Sequence, residues 1–132
     1  MARKVLKSRD WKDIDRLQRA AGIPFHSMQM GQDSGTEAVL QFQGGLIIIE
    51  LHNFALPPRL KPVRTRFSPF SINEWGPFQF DGFERSQNQF GFTTHLAVRR
   101  FQSQAGIDPD GKAGMQTLAR MDEILVFIDN LL

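Results

Sequence analysis

The sequence predicts an α+β fold: a small helical bundle interrupted by a β-hairpin and by an extended insertion rich in aromatic residues and proline. Three observations lead to this prediction. Apolar residues recur at helical spacing over 11–22, 94–105 and 115–131. Two apolar runs flank a glycine pair within 37–52, which is typical of a hairpin. Prolines that disfavour helix are concentrated between positions 57 and 69. With 41% hydrophobic residues, the 132-residue chain can build the core of a single domain.

The strongest helical pattern lies in the C-terminal third. Apolar positions 97, 98, 101 and 105 form the stripe of a helix over 94–105, which Thr93 or Thr94 can cap and Gly106 can end. Apolar residues three and four positions apart predict a longer helix over 115–131. The intervening Asp108-Pro109-Asp110-Gly111 favours a type I turn. The two helices should therefore fold back on each other, with Phe101 and Leu118 between them.

The N-terminal half provides one more helix and the predicted hairpin. Asp10 can cap a helix over 11–22, which Gly22 and Pro24 end. In the hairpin over 37–52, a turn at Gly44-Gly45 would place Phe42 opposite Ile47 and make one face apolar. That face should pack on the C-terminal helix, because two isolated strands are marginally stable.

The stretch from Thr94 to Met121 resembles the second half of the small three-helix peptidoglycan-binding module of bacterial and phage cell-wall proteins. The matching positions are Thr94, Ala97, Val98, Phe101, Gln102, Gly106, Ile107, Asp110, Gly111, Gly114, Thr117, Leu118 and Met121. The segment from Asp13 to Gly22, with Leu17-Gln18 near its centre, is similar to the first helix of that module.

A far longer stretch than in the family separates Leu17-Gln18 from Thr94. One interpretation is a split module, with residues 24–90 inserted between its first helix and its last two helices. Such an insertion costs little, since the entropy of loop closure grows slowly with length. The alternative is that the N-terminal half forms its own subdomain.

The resemblance implies a shallow peptidoglycan-binding groove beside the Asp-Gly loop. Four residues would shape this groove, namely Gly106, Asp110, Gly111 and Gly114. Three others would offer polar contacts to muramyl peptides, namely Arg99, Gln102 and Thr117.

Composition and spacing disfavour most catalytic sites. The chain has no cysteine, and His26, His52 and His95 lack the spacing of a zinc site, so no metal or cofactor is expected. The one carboxylate group to consider for acid–base chemistry is Glu74, Asp81 and Glu84, which could instead balance Arg85 and the basic residues near it. The longest apolar run, 46–49, is too short to span a membrane.

The sequence therefore predicts a non-catalytic peptidoglycan-binding protein, a small structural component of a phage-type or contractile tail or baseplate. The basic N-terminus lacks the apolar core of a signal peptide, which favours synthesis in the bacterial cytoplasm and action in the virion or tail, or at the cell wall after release. The apolar C-terminal helix favours other protein subunits as partners. Two alternatives stay open: a leaderless cell-wall hydrolase or secreted muralytic effector, and an adaptor that binds protein or, less favoured, nucleic acid through its basic arm at 59–66.

Overall fold

The computed structural model describes residues 5–62 and 78–131, and these ranges are helical. The helices are α1 (Asp15–Gly22), α2 (Glu37–His52), α3 (Gly82–Ser86), α4 (Phe92–Ala105) and α5 (Met115–Leu131), with a short 3-10 turn at Asn53–Ala55. Within the described ranges, extended pairing is limited to one isolated antiparallel bridge between Met28 and Ala113. The predicted α+β fold is therefore wrong, and the described chain is an all-helical bundle.

The segment predicted as a hairpin is the single helix α2. Thr36 caps it, since the threonine hydroxyl accepts a hydrogen bond from the Val39 amide at 3.4 Å. The buried residues of this helix recur with helical rather than alternating period, and they are Ala38, Val39, Phe42, Gln43, Gly45, Leu46 and Ile49. The run 46–49 favours a strand by local propensity, but burial against other helices decides the outcome.

The glycine pair lies inside α2 and allows a close approach rather than a turn. A Cβ on Gly45 would lie 2.5 Å from Cζ2 of Trp11 and 3.3 Å from Cδ1 of Leu125. The Trp11 ring is buried, stacks on Phe42 with ring centroids 6.1 Å apart, and donates its indole N–H to the carbonyl of Gln41 at 2.8 Å. Gly45 is therefore the position at which α2 accommodates the indole ring.

Alanine substitution at each glycine of the pair distinguishes a helix from a hairpin. In the helix, a Cβ on Gly44 meets nothing closer than 3.7 Å, so Gly44→Ala should stabilise the protein by up to about 1 kcal/mol. Gly45→Ala should destabilise it by about 1–3 kcal/mol, because the methyl group overlaps Trp11. Urea unfolding measures both effects. A two-residue hairpin turn would instead make Gly44→Ala destabilising, since type I′ and type II′ turns both need a positive φ at the first turn position.

The C-terminal helix α5 lies at the centre of the bundle and packs against α1 and α2. Its buried residues include Leu118, Met121, Ile124, Leu125 and Ile128. Phe101 of α4 and Leu118 are both fully buried in the core. That the two side chains lie between α4 and α5 stays a prediction.

The N-terminal segment is fastened to the same core. Gln18 of α1 accepts the amides of Val5 and Leu6, each at 2.8 Å, and Asp122 of α5 accepts the amides of Lys7 and Ser8, each at 2.9 Å. Helix α1 begins at Asp15 instead of residue 11. The amides of residues 11 and 12 both donate to the Ser8 carbonyl, which makes a separate turn before the helix. Both ends of the chain therefore contribute to one core. The split arrangement of the module stays a prediction.

Candidate functional site: a groove beside the Asp-Gly loop

Helix α4 forms one side of the site. The carboxylate of Glu84 accepts hydrogen bonds from the backbone amides at the start of this helix. Oε1 of Glu84 accepts the amides of Gly91 at 3.1 Å and Thr94 at 2.9 Å, and the Thr94 hydroxyl at 2.7 Å. Oε2 accepts the amide of Thr93 at 2.9 Å and the Thr93 hydroxyl. The prediction that Thr93 or Thr94 caps the helix is wrong, because the helix begins at Phe92 and a glutamate from α3 satisfies its first amides.

This arrangement sets the charge of Glu84. Burial raises the pKa of its carboxyl group, but hydrogen bonds from the side chains and backbone of Thr93 and Thr94 outweigh that effect and hold the pKa below its usual value. The group is therefore ionised at neutral pH and unsuited to act as a general acid. Of the other two carboxylates considered for catalysis, Asp81 caps α3 by accepting the Phe83 amide at 2.9 Å, and Glu74 lies outside the described residues.

Helix α4 ends as predicted. Gly106 has φ +75°, the left-handed conformation, and its amide bonds back to the last turn of the helix. The amide of Ile107 donates to the Gln102 carbonyl at 2.8 Å, which completes the cap. The chain then leaves the helix at the angle that places the Asp-Gly loop over residue 102.

The buried side chain of Gln102 holds the Asp-Gly loop together. Its Oε1 accepts the Gly111 amide at 2.8 Å. Its Nε2 lies 2.9 Å from Oδ1 of Asp110, 3.0 Å from the Lys112 carbonyl and 2.9 Å from the Thr117 hydroxyl. A hydrogen-bonded type I turn over 108–111 would require the Gly111 amide to donate to the Asp108 carbonyl. The amide donates to the side chain of Gln102 instead. Through these contacts Gln102 joins α4, the loop and the start of α5.

Gly111 is needed at its position for two reasons. Its φ is +76°, and a Cβ there would lie 2.1 Å from Cε1 of His95. The His95 ring, which covers this glycine, stacks in turn on Phe92 with ring centroids 6.3 Å apart.

An open groove of about 420 Å³ lies beside this loop. Its lining residues are Pro24, Phe25, Ser27, Gln102, Ile107, Asp108, Asp110, Lys112, Gly114, Met115, Gln116 and Thr117. It thus combines apolar side chains, two carboxylates and one ammonium group.

The predicted site residues divide into three groups. Asp110 and Gly114 line the groove, with Asp110 exposed. Gln102 and Thr117 also line it, but they are only 1% and 2% exposed, so they support the groove from beneath. The remaining three do not line it: Gly111 is buried beneath His95, Gly106 lies at the end of α4, and Arg99 lies on α4.

Sequence reasoning missed the opposite wall, which comes from the segment after α1. Arg16 holds this segment by donating to the His26 carbonyl at 2.6 Å and by pairing with Asp33 through two contacts of 3.1 Å. Met28 and Ala113 exchange backbone hydrogen bonds of 3.0 and 2.8 Å, which fasten the wall to the Asp-Gly loop. No local pattern in the sequence reports such long-range pairing.

Comparison with known proteins identifies the element that carries the groove. Residues 78–121 match the family model of the peptidoglycan binding domain. This segment begins just before α3, runs through α4 and the Asp-Gly loop into α5, and is about a third of the chain. The match confirms the resemblance found over 94–121 and supports peptidoglycan binding. The similarity of 13–22 to the first helix of the module lies outside the matched segment and stays a prediction. No curated protein and no solved structure matches the chain.

The described residues hold little that suggests a metal site or a membrane span. In 5–62 and 78–131, no group of three or more histidine, cysteine or acidic side chains is placed to hold a metal ion. Across the same ranges, every helix is too short or too polar to cross a bilayer. Of the basic arm at 59–66, residues 59–62 are described, and residues 57–61 form a turn in which the amides of Leu60 and Lys61 bond to the Pro57 carbonyl. The rest of the arm lies outside the described residues.

Proposed function

We propose that this protein binds peptidoglycan in the groove beside the Asp-Gly loop. The observation that carries the proposal is that the peptidoglycan binding domain match spans the helix and the loop that form one side of this groove. The groove is open, and its mixed lining suits a ligand that has both apolar and charged parts.

The exposed residues of the groove are the ones available to a wall ligand. Asp108, Asp110, Lys112 and Gln116 offer polar contacts, and Met115, 45% exposed, adds an apolar one. Gln102 and Thr117 act indirectly in this proposal, because their polar groups are already bonded within the loop.

A bulky residue placed in the groove should abolish wall binding. Gln116 is exposed in the first turn of α5, so Gln116→Trp fills the groove without disturbing the core. We expect wild type to pellet with purified sacculi and Gln116→Trp to remain in the supernatant. Glu123→Trp is the matched control, because Glu123 is exposed on the same helix and does not line the groove. Equal pelleting of the two tryptophan variants would contradict binding at the groove, and failure of wild type to pellet would contradict wall binding itself.

In its finer form, the proposal is that the protein is a non-catalytic structural subunit of a phage-type or contractile tail or baseplate, which meets the wall in the virion or after release. Two features support this role. Glu84 is committed to capping α4, and Leu51 and Phe54, at 64% and 80% exposure, present apolar surface to which another subunit can bind.

The two alternatives are separable by simple assays. Release of soluble muropeptides from sacculi by the purified protein would favour a muralytic enzyme over a structural subunit. Binding to any polyanion that weakens steeply with salt would favour an adaptor that uses its basic residues. The structural role would be favoured if the protein is recovered in purified tail particles and if Leu51→Glu reduces that recovery.

A further inference from the structure

We infer that the groove recognises the free ammonium group of a diamino acid in an uncross-linked peptide stem, through the ring of Phe25 and the carboxylate of Asp108. This inference rests on the proposed wall binding and specifies the part of the wall that is bound. It also assigns a binding role to a residue outside the segment that matches the family.

The exposed ring of Phe25 points to a ligand contact. This residue has φ +67° and is fully exposed, at 103% of the reference area. A left-handed backbone costs a bulky residue free energy, and an exposed ring recovers none of it by burial. The left-handed conformation belongs to a turn in which the His26 amide donates to the Ile23 carbonyl at 3.3 Å. The exposed ring adds nothing to that turn, so a ligand contact accounts for the ring.

The chain that follows Phe25 is held in place at two points. Arg16 fixes the carbonyl of His26, which follows Phe25, and Met28 is paired with Ala113 of the loop. The backbone that carries the ring is therefore fixed beside the groove that the ring lines, which lowers the entropy cost of using the ring as a contact.

The charges of the groove complement a ligand that carries both an ammonium group and a carboxylate. Asp108 is exposed in the groove, and its carboxylate makes no hydrogen bond or ion pair with the residues in 5–62 and 78–131. The face of an aromatic ring attracts a cation, so Phe25 and Asp108 are complementary to the same ammonium group. Lys112, also in the groove, is complementary to a carboxylate. An uncross-linked stem carries both charges. A sugar ring could also stack on Phe25, but it carries neither charge.

The experiment compares native sacculi with sacculi whose free amines have been acetylated and washed. We expect acetylation to weaken wild-type binding by about threefold to tenfold, the equivalent of one exposed cation–π contact together with its carboxylate. Phe25→Ala and Asp108→Asn should each weaken binding to native sacculi by about threefold or more. Phe54→Ala and Glu123→Gln, which replace an exposed aromatic ring and an exposed carboxylate away from the groove, should bind like wild type.

The expected signs oppose those of nonspecific attraction. The chain has a formal net charge of +2, and both acetylation of the wall and Asp108→Asn would strengthen binding if general charge attraction were the cause. Phe25→Asn is the control for misfolding, because asparagine tolerates the left-handed conformation. This variant should have a melting temperature no lower than that of wild type.

Each outcome has a distinct meaning. If wild type fails to pellet with native sacculi, the proposed function is wrong. If wild type binds native and acetylated sacculi equally, or if either groove variant binds like wild type, the ammonium inference is wrong and wall binding stands. Loss of binding on acetylation and in both groove variants supports the inference.

Discussion

Replacing Glu84 with alanine is expected to lower the free energy of unfolding by about 3–4 kcal/mol, which is a large part of the stability of a domain of this size. The substitution removes the acceptor for three backbone amides and two hydroxyl groups at the start of α4. The Thr94 hydroxyl also lies 3.1 Å from Nε2 of Gln43, which is buried in α2. Loss of the carboxylate therefore leaves buried donors unsatisfied at a contact between α2, α3 and α4, and urea unfolding should report the cost.

The pH dependence of Glu84→Gln tests the cause of this effect. The pKa of Glu84 is lower in the folded protein than its ordinary value of 4.5, so the unfolded state binds the proton more readily. The stabilisation from the carboxylate is then fully present above about pH 4.5 and is lost as the pH falls through the lower pKa of the folded state. We expect Glu84→Gln to melt well below wild type at pH 7, and the difference to shrink under acidic conditions.

The matched control is Glu123→Gln, because Glu123 is exposed and its contact with Arg120 is 3.7 Å. This variant should differ little from wild type at either pH. A melting difference for Glu84→Gln that stayed constant from pH 7 to acid would show that shape and packing, and not the charge of the carboxylate, stabilise the start of α4.

The parts of the fold that were predictable from sequence depend on local signals. Gly106 ends α4 in the left-handed conformation because only a residue without a Cβ adopts it at little cost, and that signal lies next to the apolar stripe it ends. The predicted C-terminal helix over 115–131 is α5, for the same reason of regular apolar spacing. The capping role of Glu84 was missed because the amides it binds lie seven to ten residues later, across the turn from α3 to α4.

The wrong prediction at 37–52 has a physical cause. Glycine pairs between apolar runs satisfy the pattern of a hairpin, and the same residues satisfy a helical pattern as well. What decides between them is Trp11, whose ring occupies the space that a side chain on Gly45 would need. That contact joins distant parts of the chain and cannot be seen in the spacing of the apolar residues.

The candidate site was half predictable for a similar reason. The residues of the Asp-Gly loop lie in one continuous motif, so the resemblance could locate them. The wall that includes Phe25 reaches the loop through the pairing of Met28 with Ala113, and Arg16 holds the His26 carbonyl within that wall. Since Phe25 itself lies in no helix or strand and is not buried, neither periodicity nor burial distinguishes it in the sequence.

Replacing Gln102 with alanine should both destabilise the protein and abolish wall binding. The truncation leaves the Gly111 amide without its acceptor and removes the amide group that faces Asp110 and Thr117. A buried donor that loses its partner costs about 1–3 kcal/mol, and the space left by the side chain adds to this, so we expect a loss of about 3 kcal/mol in the free energy of unfolding. The loop should also lose its fixed position over α4, and with it the groove that Asp110 and Lys112 line.

Two measurements separate the stability effect from the binding effect. Gln116→Ala is the control, because it truncates the same side chain at an exposed position of the groove and should leave the unfolding free energy within about 0.5 kcal/mol of wild type. Binding of Gln102→Ala to sacculi is then measured at a temperature where circular dichroism shows the variant to be folded. Binding lost under those conditions means that Gln102 positions the loop for its ligand. If the folded variant bound like wild type, the groove would not depend on the loop conformation that Gln102 maintains, and the wall contact would have to lie elsewhere on the molecule.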